Sequence, residues 1–203
     1  MPTQNASLMG ARGGDLLIAR LDAAVAHGDT TQVVQQVEQV LQQAIHDAQI
    51  ALPPAVYIPV ADHYARRELY RSARYGYCVI AMTWGPGQGT PLHDHDGLWC
   101  VEGVWQGELE ITPYRLLAQA GDQFQFEPQP TLRGGYGSAG NLIPPDEHHV
   151  LRNASAEQVA VSLHVYRQPL ERCDVFDPIG DQPGWYQRRE VLLGTDQTPD
   201  LVS

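Results

Sequence analysis

The sequence predicts a mainly β protein: a jelly-roll-like barrel carrying an N-terminal helical segment. Two observations predict it. From Tyr75 onward the chain is rich in Gly, Pro, aromatic and β-branched residues, with short strand-like runs recurring between turn signals. Before residue 73 the apolar residues instead recur at helical spacing. We therefore divide the chain into a helical segment, 1–72, packed on a barrel, 73–203. The length of 203 residues, 43% of them hydrophobic and 18% charged, suits one soluble globular domain.

Taken in order, residues 15–27 read as a helix that Asp15 caps and Gly28 ends. Residues 30–50 read as a stronger one, with Val33, Val37, Val40, Leu41, Ala44, Ile45 and Ala48 on one face, stopped by Pro53 and Pro54. A short amphipathic piece, His63 to Arg71, reads as a third helix. Strands are expected near 76–84, 98–105, 108–114, 122–126, 141–143, 147–152 and 159–166. Residues 134–140, GGYGSAG, form a Gly-rich loop without the Gly-Lys-Ser/Thr ending of a phosphate-binding loop. The tail after Gly194 is expected to be loosely ordered.

Thirteen Lys and Arg against 24 Asp and Glu give a net charge of −11. That charge argues against nucleic acid or an anionic membrane as partner. The N-terminus lacks an apolar core of signal-peptide length, and Tyr77–Met82, the longest apolar stretch, is too short to span a bilayer. Cys78, Cys100 and Cys173 are odd in number and form no C-x-x-C pair, which suits a reducing compartment. The expectation is a cytoplasmic protein, monomeric or weakly homo-oligomeric.

The most informative stretch is GPGQGTPLHDHDGLWCVEGVWQG, residues 85–107. His93 and His95 are two apart on an expected strand, so both rings can reach one ion. Gly87, His93, His95 and Gly107 match the first cupin motif, whose acidic position is held here by Cys100. Pro144, Asp146, His149 and Asn153 resemble the second motif, with Asp146 replacing its usual Gly. His149 rather than His148 is the third candidate ligand, because neighbours on a strand face opposite ways; His148 is expected to face solvent. Three neutral imidazoles suit Fe, Zn, Cu or Ni. With Cys100 at the acidic position the site is expected to lack an anionic protein ligand and to favour a substrate, such as a thiolate, that brings its own charge.

Residues 159–166, VAVSLHVY, alternate: Val159, Val161, Leu163 and Val165 on one face, Ala160, Ser162, His164 and Tyr166 on the other. If the polar face lines the barrel, Ser162, His164 and Tyr166 form a proton-handling chain ending at the Tyr166 hydroxyl. If the strand is an edge, that face meets water. Periodicity alone favours the edge.

These motifs together resemble the cysteine dioxygenase family of the cupin superfamily over roughly residues 60–178. The resemblance rests on Trp84–Gly87, His93-Asp94-His95, Cys100, Gln106-Gly107, His149, Asn153, Val161–Tyr166 and the run Cys173, Phe176, Asp177. It implies a cupin barrel and a mononuclear Fe(II) enzyme that oxidises a small thiol to its sulfinate with O2. By that resemblance His93, His95 and His149 bind iron, and Ser162, His164 and Tyr166 form a triad beside it. Cys100 could be linked to Tyr166 through a thioether, as in animal members, or remain a free thiol. The family's cysteine-selective branch carries Tyr-x-Arg, its Arg pairing with the substrate carboxylate. Tyr64 and Arg66 fit that spelling, whereas a gap-free count from His93 selects Arg67. L-Cysteine is the substrate implied. Mercaptosuccinate, if Arg167 and Arg172 also serve, and 3-mercaptopropionate are the rivals, and a metal-binding cupin without catalysis is the rival of another class.

Overall fold

The computed structural model describes residues 7–197. Helices α1 (Gly14–Val25) and α2 (Thr30–His46) come first, then a 3₁₀ turn at Pro54–Tyr57. Twelve strands follow among the described residues: β1 (Ala65–Arg71), β2 (Cys78–Trp84), β3 (Leu92–His93), β4 (Cys100–Gln106), β5 (Glu108–Ala120), β6 (Gln123–Pro128), β7 (Leu132–Gly135), β8 (Ala139–Leu142), β9 (His149–Asn153), β10 (Ala160–Tyr166), β11 (Arg172–Pro178) and β12 (Trp185–Leu192). No helix among the described residues is long and apolar enough to cross a membrane.

Helix α2 begins in a capping box, where Asp29 accepts from the Gln32 amide and Gln32 accepts from the Asp29 amide. Its apolar stripe, Val33, Val34, Val37, Leu41, Ala44 and Ile45, is buried. Ala48 lies beyond its end, because the chain turns extended at Asp47, well before Pro53. Helix α1 starts from Gly13 in a left-handed conformation, so Asp15 sits inside the first turn and does not cap it.

All pairings are antiparallel. One sheet runs β1-β2-β10-β4-β8, the other β6-β12-β11-β3-β9-β5-β7. The helices cover the outer face of the first sheet, packing on Val79, Ala81, Val101, Trp105, Val161, Leu163 and Val165. Burying a Val or Leu there is worth about 1.5–3 kcal/mol per side chain, so the helices and this sheet form one core. Its inner face, carrying Cys78, Ile80, Met82, Trp84, Cys100, Val104 and Tyr166, looks into the barrel. Strand β10 is central, between β2 and β4, with all seven residues buried. The edge alternative is thereby excluded, and Ser162, His164 and Tyr166 face inward.

The second sheet curls on itself. Strand β5 is 13 residues long; its first half pairs with β9 and its second half with β6. The pairings β6-β12-β11-β3-β9-β5 therefore return to β6. Leu92, Phe124, Phe126 and Phe176, with Tyr114, Val150 and Tyr186 against them, fill the space so enclosed.

One expected element is of the wrong kind. His63–Arg71 is not a helix: residues 65–71 are β1, paired with β2 and part of the barrel wall. Ala65, Arg67 and Leu69 share its outer side and are buried, but a buried Arg in the middle hides the alternation. The GGYGSAG segment is a tight turn between the ends of β7 and β8. That turn is fastened to the end of α2. The Tyr136 hydroxyl donates to the Ile45 carbonyl at 2.8 Å, and the His46 and Tyr136 rings meet edge to face at 5.1 Å. Gly137, at φ 87°, lies so close to His46 that a Cβ would stand 2.3 Å from its ring nitrogen. The chain beyond β12 is also docked: the Asp196 carboxylate accepts from the Arg66 amide at 2.8 Å and contacts His63 at 2.8 Å. The looseness expected after Gly194 does not extend to these residues; 198–203 lie outside the described ones.

Candidate metal centre

His93, His95 and His149 converge inside the barrel. Strand β3 is only two residues long, but His93 pairs directly with His149 of β9. After His93 the chain turns through Asp96 and Gly97, both at positive φ, while the Leu98 amide closes on the His95 carbonyl. That turn swings His95 back beside the other two rings. The ring centroids are 4.7–5.1 Å apart, and one nitrogen from each lies within 4.8 Å of the others. Two glycine and asparagine positions of the motifs have structural duties. Gly107 turns between β4 and β5 at φ 75°, where a Cβ would meet Ala160 at 2.9 Å. Asn153 donates to the carbonyls of Trp84, Gly85 and Gln158, tying β9 to β2.

Buried polar atoms almost always find a partner. Here His95 and His149 have both ring nitrogens buried and unpartnered, and so are Nδ1 of His164 and Oε1 of Glu102. His93 directs Nδ1 at the Pro91 carbonyl, 3.1 Å away, which leaves Nε2 for a ligand. Burial, and then the neighbouring histidines, hold His95 and His149 well below the usual imidazole range; burial lowers His93 too. Neutral, converging, unpartnered rings are what a divalent metal requires of its ligands. The residues present fit a metal ion.

Two carboxylates that sequence reasoning missed border this site: Glu147, whose Oε2 accepts from the His95 amide and lies 3.8 Å from its Nδ1, and Glu102. Glu102 follows Cys100 by two on β4 and so shares its inward face. Its Oε1 lies 3.3 Å from His164 Nδ1 and 3.7 Å from His149 Nε2. The motif's acidic position is Cys100, as expected, and a carboxylate stands nearby, one inward position further along the strand. The signal was in the alternation, had it been followed past Cys100.

The Ser162-His164-Tyr166 strand is partly linked. Trp84 Nε1 donates to Ser162 Oγ at 2.9 Å, and Ser162 Oγ lies 2.8 Å from His164 Nε2. Ser162 has a single proton to give, so the satisfied arrangement sends it to Nε2 and leaves the imidazole proton on Nδ1, facing Glu102. His164 and Tyr166 stack, centroids 6.1 Å apart at 15°. Cys100 and Tyr166 are direct cross-strand partners. Burial first, and in Cys100 the Glu102 charge next, push both well above their ordinary ranges, and the Tyr166 hydroxyl partly offsets this for the thiol.

A cavity of about 240 Å³ reaches His93 of the cluster and is lined in part by Tyr64, Arg66, Glu102, His164 and Tyr166. Tyr64 stacks on Trp84 at 4.6 Å. Arg66 reaches into the cavity from β1, with Nη1 donating to the Gly194 carbonyl at 2.8 Å. Arg67 faces the other way, giving its guanidinium to Val56 O, Ile58 O and Thr83 Oγ1. Arg172 does not enter the cavity; it contacts Asp96 and Glu190 outside. Arg167 lines a separate cleft with Tyr75 and Trp99. Arg189 of β12, not anticipated, does line the cavity, paired with Asp177 at 3.0 Å.

His148 does face away from His149, but not into water. It is 9% exposed, with its ring 4.8 Å from Phe126 and 5.4 Å from Phe176. The curled sheet covers the surface on which the expectation of solvent rested.

A two-sheet antiparallel barrel with three inward histidines from two sequence motifs defines a cupin-fold protein. The sequence model of the family described as Cysteine dioxygenase type I matches residues 22–178, and the chain belongs to that family. Cysteine dioxygenase type 1 of Rattus norvegicus is 28% identical over 137 residues, 66% of this chain and 68% of that protein. The Homo sapiens protein of the same name shows the same identity and coverage. The Danio rerio protein is 26% identical over 121 residues, 55% of each. Among solved structures, a Klebsiella pneumoniae protein with a double-stranded β-helix domain is 17% identical with a TM-score of 0.43, covering 59% of this chain and 90% of its own.

Proposed function

We propose that this protein is an Fe(II)-dependent thiol dioxygenase, oxidising the thiol of a small carboxylate-bearing substrate, L-cysteine foremost, to its sulfinic acid: one thiol and one O2 give one R-SO2H. The observation that carries the proposal is the convergence of three histidine rings, one of which, His93, lines the same cavity as the Arg66 guanidinium. His93, His95 and His149 would hold the metal, which when bound supplies open coordination positions and the redox chemistry that lets a thiolate react with O2.

The chain's own residues do the rest. Arg66 binds the substrate carboxylate with parallel hydrogen bonds. That fixes where the sulfur sits, a gain of proximity and orientation. Tyr64, held flat on Trp84, walls the same side. The Ser162 hydroxyl fixes the His164 tautomer, so that its Nδ1 proton points at Glu102. The Tyr166 hydroxyl, kept protonated by burial, is a donor toward negative charge developing in the cavity. The cross-strand register of Cys100 and Tyr166 supports a thioether between them, formed as the thiol S–H and a ring C–H give up two hydrogens to O2, the co-substrate of the proposed activity, and seen as an intact mass lower by those two hydrogens. A cytoplasmic setting accords with the three free, buried thiols.

The test is anaerobic iron reconstitution followed by mass-spectrometric detection of sulfinate over a panel of L-cysteine, 3-mercaptopropionate and mercaptosuccinate. Fastest turnover of cysteine is expected. Arg189 at the cavity wall favours a second reading, a thiol with two carboxylates; mercaptosuccinate as the best substrate would select it. Metal and ligand binding without O2 uptake by any thiol would make the protein a non-catalytic cupin.

A further inference from the structure

The barrel holds a second cavity, of about 190 Å³, on the far side of Glu102. Val104, Leu109, Ile111 and Leu132 line it, and it opens at the turn between β7 and β8. Glu102 borders both cavities. Ser162 borders this one, while its hydrogen-bonded neighbour His164 borders the other. The partition is thus one layer of side chains, and its Glu102 carboxylate stands 3.7 Å from His149.

We propose that this second cavity is the entrance and holding site for dioxygen. The inference rests on the thiol dioxygenase reading above. An anionic substrate clamped by Arg66 occupies the first cavity and closes that approach, so O2 arriving afterwards needs another. The second cavity suits a small, uncharged molecule, because Val104, Leu109, Ile111 and Leu132 make most of its wall apolar and its polar groups, Glu102, Arg133, Ser138 and Ser162, stand at its ends. Its charged neighbour at the mouth, Arg133, is engaged by Glu108 and Glu110 and offers no attraction to anions. The glycines explain why it is open. Gly140 is the cross-strand partner of Glu102, and Gly134 that of Leu109, so both present their missing side chains to the interior. A Cβ on Gly140 would meet nothing within 4 Å. The Gly-rich turn that resembles no phosphate loop is, on this reading, the rim of a gas port.

The first test uses xenon, an apolar probe independent of turnover. Crystals of the iron-loaded protein under xenon pressure are expected to show the atom between Val104 and Ile111; a cavity without xenon, or holding ordered water instead, overturns the proposal. The second is kinetic. Gly140→Leu alters a residue of the cavity lining, whereas Gly135→Leu, opposite Glu108, lies outside that lining. A several-fold rise in KM for O2 is expected in Gly140→Leu alone, with the KM for thiol and the iron content unchanged. An unchanged KM for O2 in iron-replete Gly140→Leu refutes the route while leaving the dioxygenase reading intact. Wild-type protein that oxidises no thiol refutes both, even with xenon bound.

Discussion

His148 and His149 are adjacent in sequence and inhabit opposite environments. His149 faces a barrel left partly hollow, with both nitrogens unpartnered among other polar side chains. His148 faces a space packed with Phe126 and Phe176, with its Nδ1 alone buried and unpartnered. One sheet therefore divides a chamber built to accept something from a chamber built to accept nothing. The filled side packs against β9 and β3, the strands that carry His149 and His93. Polar atoms without partners cost free energy, and the aromatic packing behind them offsets it.

That contrast can be broken or sharpened experimentally. The largest effect is expected from His149→Ala, which should abolish metal retention and turnover while barely lowering the melting temperature of metal-free protein; full iron content by elemental analysis would contradict the ligand assignment. Phe126→Ala, on the filled side, should cost about 3–5 kcal/mol in urea denaturation, with iron per folded molecule unchanged. Loss of metal affinity at full stability would reverse the two roles.

The arginines repeat the contrast on β1. Arg66→Ala should raise the thiol KM by roughly 10–100-fold, since hydrogen bonds to a charged group are worth about 1.5–3 kcal/mol, and leave stability nearly intact. Arg67→Ala should instead lower stability by about 1–3 kcal/mol, because buried carbonyls lose their donors, with KM unaffected. Exchanged outcomes would mean that the wrong guanidinium faces substrate.

The smallest effect concerns pH. Asp196 first, and Asp62 second, raise the His63 pKa above its usual value. A raised folded-state pKa contributes stability that is complete below the unfolded value of about 6.5 and is lost as pH rises through the folded one. His63 is half exposed, so the contribution is roughly 0.2–1 kcal/mol. Hydrogen exchange at the Arg66 amide, which Asp196 holds, should quicken across that window; an NMR titration placing His63 at or below 6.5 would remove the effect.

Much of the hollow side was legible in the sequence, and little of the filled one. Helix α2 announced itself through its stripe, and His93, His95 and His149 through motif spacing, because those signals are local. Strand β1 was read as a helix because Arg67 is buried at the centre of its alternation. The aromatic chamber gathers isolated residues from β3, β6, β11 and β12, and no local pattern marks them as neighbours. Glu102 escaped because the motif directed attention to Cys100, though the alternation already pointed it inward.

The junction of Gly137 with His46 and Tyr136 makes the end of α2 a mechanical stop for the rim of the second cavity. If the proposed oxygen route holds, substitutions at the end of α2 should change the KM for O2 and leave thiol preference untouched.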